Sequence, residues 1–435
     1  MKTILQPEKR IPVIAETQVL IVGSGPAGIA AAVASARTGA QTMLVERYGC
    51  FGGALSIGQV ESYNWYFNNQ TYTSKGISSE IEHRMLDKGG AECDARGVGH
   101  FLNPEMYKVM LDEWVREEGI TPLFHVLAVD TVLEGDRVRG VVFEGKSGRC
   151  AIMADVVIDA TGDGDVAALS GASFRQGGND RRDVLPVTMV FGVSGVNVKM
   201  FLDYIKRHQE VVKPETHGLK KVFLDAQKAG RWPYSREGGA FKTLTPTGDF
   251  TSMNITREFR IDGTDIWDLT KAEINGRQQA VEAIGVLRDF GQEMGFADCR
   301  LRSFAFQIGV RETRRITCRA TISRQDIMSQ AVYRDSIGVF TRFVDGEVIS
   351  KDDSHFQIPY GVLLPKERTG ILVCGRCIGH EEDAAQTMRM MVCCATTGQA
   401  AGTAAALSAI KGITPDQLDI GLLQEQLRQD GVLLQ

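Results

Sequence analysis

The stretch Val19 to Ala32, VLIVGSGPAGIAAA, most constrains what this chain can fold into. An apolar strand runs into Gly23, Ser24, Gly25, Pro26, Ala27 and Gly28, then into an alanine-rich helix. That is the G-x-G-x-x-G turn of a dinucleotide-binding βαβ unit. Gly23 permits the tight turn, Gly25 offers bare backbone to a pyrophosphate, and Gly28 lets helix and strand pack closely. The helix N-terminus, with Pro26 and Ala27 in its first turn, turns free N–H groups and partial positive charge toward the phosphates. The next apolar segment, residues 41–45, ends in Glu46, 18 residues past Gly28. A carboxylate there accepts hydrogen bonds from an adenosine ribose. Arg47 beside it would suit a 2′-phosphate, but an acid in the first position argues against one.

A chain of 435 residues is too long for one small core and predicts two closely packed domains. A net charge of −5 with dispersed Lys and Arg gives no electrostatic footprint for nucleic acid. No apolar run has the length of a membrane span, and the N-terminus has neither the apolar core nor the cleavage site of a signal peptide. Nine cysteines, an odd number, argue against a disulfide framework and for a reducing cytoplasm. Cys374-x-x-Cys377 and the Cys393-Cys394 pair lack the second half of a zinc site. No metal is expected, and buried thiols packed near a cofactor are favoured over a redox disulfide.

Along the chain, residues 13–50 read β-α-β. Residues 76–90 and 104–119 read as amphipathic helices, the second started by Asn103-Pro104. Residues 121–132, 137–144 and 150–153 read as a three-stranded meander beside the parallel sheet. DVVIDA (Asp155 to Ala160) is a buried strand leading into Thr161-Gly162-Asp163-Gly164-Asp165. That turn lacks the third glycine of a second dinucleotide site. Past Arg175 the nucleotide character stops. Residues 187–196 and 253–261 read as β, and 201–208 and 272–293 as helix. Apolar strand 370–374 and a small-residue helix over 390–410 then return to cofactor-like geometry. The expected division is 1–175 and 351–435 for cofactor binding, with 176–350 between them for the substrate.

The fingerprint suits NAD, NADP or FAD, and three features favour FAD. Gly52-Gly53 follows Glu46 closely and lets a loop lie against pyrophosphate and ring. Gly375-Arg376 and Gly398 to Gly402 bring the C-terminal end back to the cofactor. No second fingerprint exists for a separate nucleotide. GSGPAGIAAA, ERYGCFGG, VVIDATGDGDVA, GVRETRRI, IPYGVLLP and CGRCIG…RMM…TGQAAGTAAALS occur here in that order. In this the chain resembles the FAD-dependent oxidoreductase family of glutathione-reductase-like flavoproteins, from about residue 17 to residue 410. The resemblance implies an α/β fold: a Rossmann-like FAD-binding domain of three-layer ββα architecture, with an inserted α+β substrate domain. It also implies a non-covalent, extended FAD. By position, Gly23, Gly25 and Gly28 would cradle the pyrophosphate and Glu46 the ribose. Arg47, Gly52 and Gly53 would line the approach to phosphate and ring, and the Val126 backbone would meet adenine. Thr161, Gly162 and Asp163 would close over the adenosine half, Gly375 and Arg376 would meet the ribityl and phosphate region, and Gly398 to Gly402 would lie beneath the flavin. Relatives carry Ala-Thr-His-Glu after Gly-Arg-Cys-Ile; here the chain reads Gly379-His380-Glu381-Glu382-Asp383, which puts Glu382 at the usual histidine position.

A flavin accepts hydride at N5, and the protein supplies orientation, electrostatics and substrate choice. The helix starting near 389–392 is expected to aim its N-terminus at the charge that builds on the ring. His380 and Glu382, in the loop before that helix, are candidate bases; a solvated acidic loop is the alternative. Arg311, Arg314 and Arg315 form a basic cluster, with Arg311 and Arg315 on one helical face. They could hold a substrate carboxylate or a flavin phosphate, or pair with Glu312. His355 is a further candidate base. Tyr63, Trp65 and Tyr66 could wall an apolar substrate pocket or belong to the core. The expected function is an oxidoreductase moving a hydride between a small organic substrate and FAD, with the electron acceptor and oligomeric state left open. A flavin monooxygenase, an RNA-binding flavoprotein of the tRNA-modifying type, and a non-catalytic nucleotide-binding scaffold are the competing readings.

Overall fold

The computed structural model describes residues 2–5, 8–64, 75–94, 98–208, 217–236, 240–241, 243–344 and 354–435. A central sheet is built from β1 (Val13–Val22), β2 (Thr42–Val45), β3 (Thr121–Leu123), β4 (Val126–Glu134), β5 (Arg137–Gly145) and β6 (Gly148–Asp159). Its order is β3-β2-β1-β6-β5-β4, and a late strand, Ile371–Val373, also pairs with β6. The β1, β2, β3 and late-strand pairings are parallel, whereas β4-β5-β6 is an antiparallel meander. The twelve-residue β6 has β1 along one edge. Its other edge is shared: β5 takes Gly148 to Met153 and the late strand takes Val157 to Asp159. Both ends of the chain thus meet on one central strand.

Two expectations about strands need correction. Residues 121–132 do not form one meander strand. The chain breaks at Phe124-His125, where His125 takes φ 61°, and Thr121–Leu123 crosses to the far edge beside β2. Residues 150–153 and 155–160 merge into the single strand β6.

Helix α1 (Pro26–Arg37) follows β1. The long helix α3 (Met391–Lys411) crosses it, after α2 (Ile266–Phe290) in the chain. Both α1 and α3 are rich in Ala and Gly and buried almost all round, as core helices must be. Their contact has no room for side chains. A Cβ on Gly398 would stand 2.1 Å from the Ala27 carbonyl oxygen, and one on Gly402 2.1 Å from that of Ala31.

A second, four-stranded antiparallel sheet joins β7 (Phe191–Ser194), β8 (Ala240–Phe241), β9 (Phe250–Asn254) and β10 (Arg300–Phe304), in the order β8-β9-β7-β10. It has its own core, in which the Phe250 and Phe296 rings stack at 5.8 Å and Phe201 meets Phe250 edge-on at 5.0 Å. The inner face of α2 (Ala283, Ile284, Leu287) packs on that core. Ile316, Ile322, Ile337 and Phe340 belong to the first core, although their numbers fall in the segment expected to form the insert.

Candidate functional site

The turn after β1 is shaped by its glycines. Gly23 has φ +94°, and a Cβ there would strike the Ala160 carbonyl; one on Gly28 would strike the Gly23 carbonyl. Gly25 differs, since a Cβ on it would meet nothing within 4 Å. Space lies in front of its backbone, at the start of α1. That end has no side-chain cap and no acid in its first turn. Gly53, at φ +55°, lies so close to the Gly25 Cα that a side chain would not fit, and the Gly52 N–H donates to the Ser24 carbonyl. An open, bare, electropositive cradle of this kind fits a pyrophosphate.

Glu46 stands at the tip of β2, buried. Its Oε2 accepts from the Ser24 backbone N–H (2.9 Å) and hydroxyl (2.6 Å), and its Oε1 from the Tyr48 N–H (3.1 Å). Ser24, the unremarked residue between two fingerprint glycines, therefore fixes the carboxylate. Oε2 is thereby saturated, and Oε1 keeps a lone pair for a ligand hydroxyl. Arg47 lies over the Tyr48 ring and donates to Gln307. Val126 opens β4, its N–H on the Glu46 carbonyl. Beside them is a cleft of ≈ 400 Å³, lined by Arg47, Leu127, Ala128, Asp163, Leu169 and Phe174 among others.

Three loops lock together across the far side of this region. Asp163 Oδ1 accepts from Arg376 Nη2 (2.7 Å) and from the Thr313 hydroxyl (2.8 Å). Arg314 donates to the Asp163 carbonyl and to Asp165. Burial pushes the Asp163 carboxyl up, but the charge of Arg376 and the Thr313 bond outweigh it and hold it below its ordinary value. Asp165 goes the other way, raised first by burial and then by the charge of Asp163. Gly162 abuts the Arg376 guanidinium, and the Gly375 N–H donates to Thr397 of α3.

Several expected roles change. Gly398 and Gly402 pack on the backbone of α1 and so act one layer behind the cradle. The segment 311–315 is not helical: the bridge between Thr188 and Gly309 and the pairing of Arg315–Ile316 with Phe174–Arg175 draw it out straight. Arg311 donates to the Pro186 carbonyl, and Arg315 makes a buried pair with Glu312. His380 is buried, with Nδ1 on the Glu381 carbonyl and Nε2 on the Arg376 carbonyl. Burial lowers its pKa, and a neutral ring has one N–H to share between these two carbonyls, so the imidazole lies against the backbone of the Arg376 loop. Glu382 is exposed and reaches toward Arg315 at 3.9 Å. Tyr63 is a core residue whose hydroxyl donates to the Ser78 carbonyl; Trp65 and Tyr66 lie outside the described residues. His355 opens a strand paired with residues 336–341.

The motifs did not flag His100. Its Nδ1 bonds Glu82, which is buried in the helix Ile77–Asp87. Burial raises the Glu82 carboxyl, and the His100 bond works against that shift. Tyr63, next to the pair, has both Glu82 and Cys394 of α3 as electrostatic neighbours. A carboxylate that orients an imidazole is an arrangement for moving protons, which residues 82 and 100 are too far apart in sequence to announce. Cys374, Cys377, Cys393 and Cys394 are buried free thiols, pushed up by burial. Among the described residues no cluster of His, Cys, Asp and Glu is placed to hold a metal ion, and no helix is long and apolar enough to cross a membrane.

Sheet order, glycine turn and cradle define a dinucleotide-binding protein of the Rossmann type. The chain belongs to the FAD dependent oxidoreductase family, whose model matches residues 18–427. FAD is its cofactor, and it is an oxidoreductase. Among curated proteins it is similar to digeranylgeranylglycerophospholipid reductase 2 of Methanopyrus kandleri, 28% identical over 149 residues, which are 34% of this chain and 38% of that protein. It is also similar to 4-oxocyclohex-2-ene-1-carboxylate 5-dehydrogenase of Sinomonas cyclohexanicum, 30% identical over 142 residues, 32% of this chain and 23% of that one. The matches thus span well under half the length of these relatives. Among solved structures, a triple mutant of a flavin-dependent brominase aligns over 95% of this chain and 84% of its own, at TM-score 0.49 and 13% identity. A geranylgeranyl bacteriochlorophyll reductase-like protein from Thermoplasma acidophilum aligns over 95% and 83%, at TM-score 0.43 and 13% identity.

Proposed function

We propose that this protein moves a hydride between a small organic substrate and a non-covalently held FAD. The observation that carries the reading is the uncapped start of α1, with open space before Gly25 and a prepositioned Glu46 at its side. In this reading the N–H groups of Ala27 and Gly28 and the backbone of Gly25 and Pro26 receive the pyrophosphate. Glu46 takes the ribose, and the cleft at Arg47 and Val126 takes the adenine. Gly52 and Gly53 keep the ring's approach clear. Thr161, Gly162 and Asp163, clamped by Arg376 and set by Gly375, close the far side. The bound flavin supplies the hydride acceptor at N5. The start of α3, which also lacks a side-chain cap and an early acid, offers dipole and N–H groups to negative charge.

The proton that leaves with the hydride goes, in this reading, to His100 held by Glu82. The names of both curated relatives, a reductase and a dehydrogenase, support a two-electron reaction on an organic substrate. Anaerobic bleaching of the flavin against a panel of metabolites tests the proposal. A metabolite that bleaches it under argon and yields product without incorporated oxygen upholds hydride transfer. Incorporation of an oxygen atom from O2 makes the protein a monooxygenase instead, and a flavin that no donor reduces removes the enzymatic role. His100→Gln should slow bleaching by roughly 10²-fold or more, the ordinary contribution of a positioned base, while flavin content stays the same. Bleaching at the wild-type rate would clear His100 of that role.

A further inference from the structure

We propose that the outward face of α2 is a homodimer seam, on which the same helix of a second copy of this chain docks antiparallel. The helix buries Ala272, Ala280, Ala283, Ile284 and Leu287 on one side. On the other, Trp267, Ile274 and Val281 are 74%, 56% and 53% exposed. They stand seven residues apart, so they line up along the helix. Lys271 and Gln278 fall between them and Gly285 follows Val281, at alternating steps of four and three. Single exposed apolar residues are ordinary. A line of three at heptad spacing along a 25-residue helix fills one of the two positions of a coiled-coil seam with apolar side chains, the other being Lys271, Gln278 and Gly285.

The seam is complementary to itself, which identifies the occupant. In an antiparallel pair, each of the two residue sets faces the other set across the axis. With a two-fold axis crossing the helix at the level of Gly276, Trp267 faces the partner's Gly285 and Ile274 faces the partner's Gln278. Lys271 faces the partner's Val281, beside the carboxylate of the partner's Glu282, which within each chain is held by the Tyr234 hydroxyl (2.9 Å) and the Gln278 amide (3.1 Å). All these layers form together in one register, as a two-fold interface demands. Gly285 supplies the shape argument. It weakens the helix where it stands, yet a Cβ on it would meet nothing within 4 Å of its own chain. That vacancy on the outward side receives the indole, the bulkiest side chain of the seam. The Lys271 and Glu282 pairing, made twice, supplies charge complementarity. A partner of other chemistry would have to match Trp267, Lys271 and Gly285 by coincidence.

The test uses the full-length, FAD-loaded protein. Sedimentation equilibrium at micromolar concentrations should give a dimer. Ile274→Glu with Val281→Glu should weaken association by at least about tenfold, as charges at the centre of an interface do. Flavin content and circular dichroism should stay at wild-type levels, because both side chains point away from the core. Lys271→Glu, a milder change on the solvent face, should weaken the dimer through repulsion from the partner's Glu282. Mixing Trp267→Cys with Gly285→Cys protein should yield an inter-chain link between those two positions, read by mass spectrometry of the joined peptides. A monomer throughout the concentration range, or a dimer indifferent to the 274 and 281 charges, overturns the proposal. Links joining position 267 to 267 overturn the antiparallel register.

Discussion

Glu46 is fixed by its own chain before any ligand arrives. Ser24 and Tyr48 supply three donors to one buried carboxylate, so no side-chain freedom is lost when a ribose binds. Glu46→Ala strands those donors and removes a charged acceptor, a loss of about 1.5–3 kcal/mol for hydrogen bonds to a charged group. FAD affinity should fall about 10- to 100-fold by equilibrium dialysis, with Glu46→Gln between that and wild type. Asp159 makes the opposite kind of residue. It is fully buried at the end of β6 and accepts from Thr161 and Ala167, yet burial pushes its carboxyl up to about 6. The folded value lies above the ~3.9 of an unfolded aspartate, so the favourable contribution to stability is complete below about pH 4 and is lost as pH rises through about 6. The loss is at most about 3 kcal/mol. Urea titrations across that window should show a fall in wild-type stability that Asp159→Asn flattens; parallel curves would mean Asp159 ionises as freely folded as unfolded.

At the scale of elements, the crossing of α1 and α3 is where sequence and structure part company most usefully. Gly398→Val should not act on flavin chemistry directly. Its side chain would fall on the Ala27 carbonyl, and the overpacking should cost about 1–3 kcal/mol. Because Ala27 lies in the first turn of α1, at the end of the phosphate-binding turn, loss of flavin should accompany the loss in melting temperature, and excess FAD should recover part of both. An unchanged melting temperature would mean the helices can separate freely at Gly398. The small-residue pattern showed that something approaches α3 closely, but did not distinguish a ring from a helix. The β-α-β unit, the helix starting at Asn103-Pro104 and α3 itself were legible because local signals suffice: periodicity, a glycine turn, a cap. Elements decided by distant partners were not. Thr121–Leu123 leaves the meander because β2 offers it an edge, and 311–315 is straightened by pairing with residues 174–175 and 188. His380 sat where a base was wanted, but burial and two backbone carbonyls decide its chemistry, and neither is written in the spacing.

On the scale of the whole molecule, the buried hydrophobics of the described residues form three clusters, and the cradle's strands and helices belong to the first. The first core draws on both ends of the chain, from Val19 to Ala172 and again from Ile316 to Leu434, around β6 and α3. The second draws its members only from Phe191 to Cys299, with Thr251 and Ser252 of its sheet hydrogen-bonded to Glu61 and Gln59. Ligand binding stabilises whatever must be folded to form the site, by about 2.7 kcal/mol when the ligand is at a hundred times its dissociation constant. FAD should therefore protect the first two clusters unequally. Hydrogen exchange on apo and FAD-loaded protein should slow amides at 22–30, 44–53, 159–165 and 374–400. Those at 219–232, in the second core, should change little. The coupling is geometric: β6 carries β1 on one edge and the late strand on the other, so opening the cradle at either end exposes the same central strand. Equal protection of both clusters would mean that the two cores unfold as one, and that the second sheet takes part in holding the cofactor.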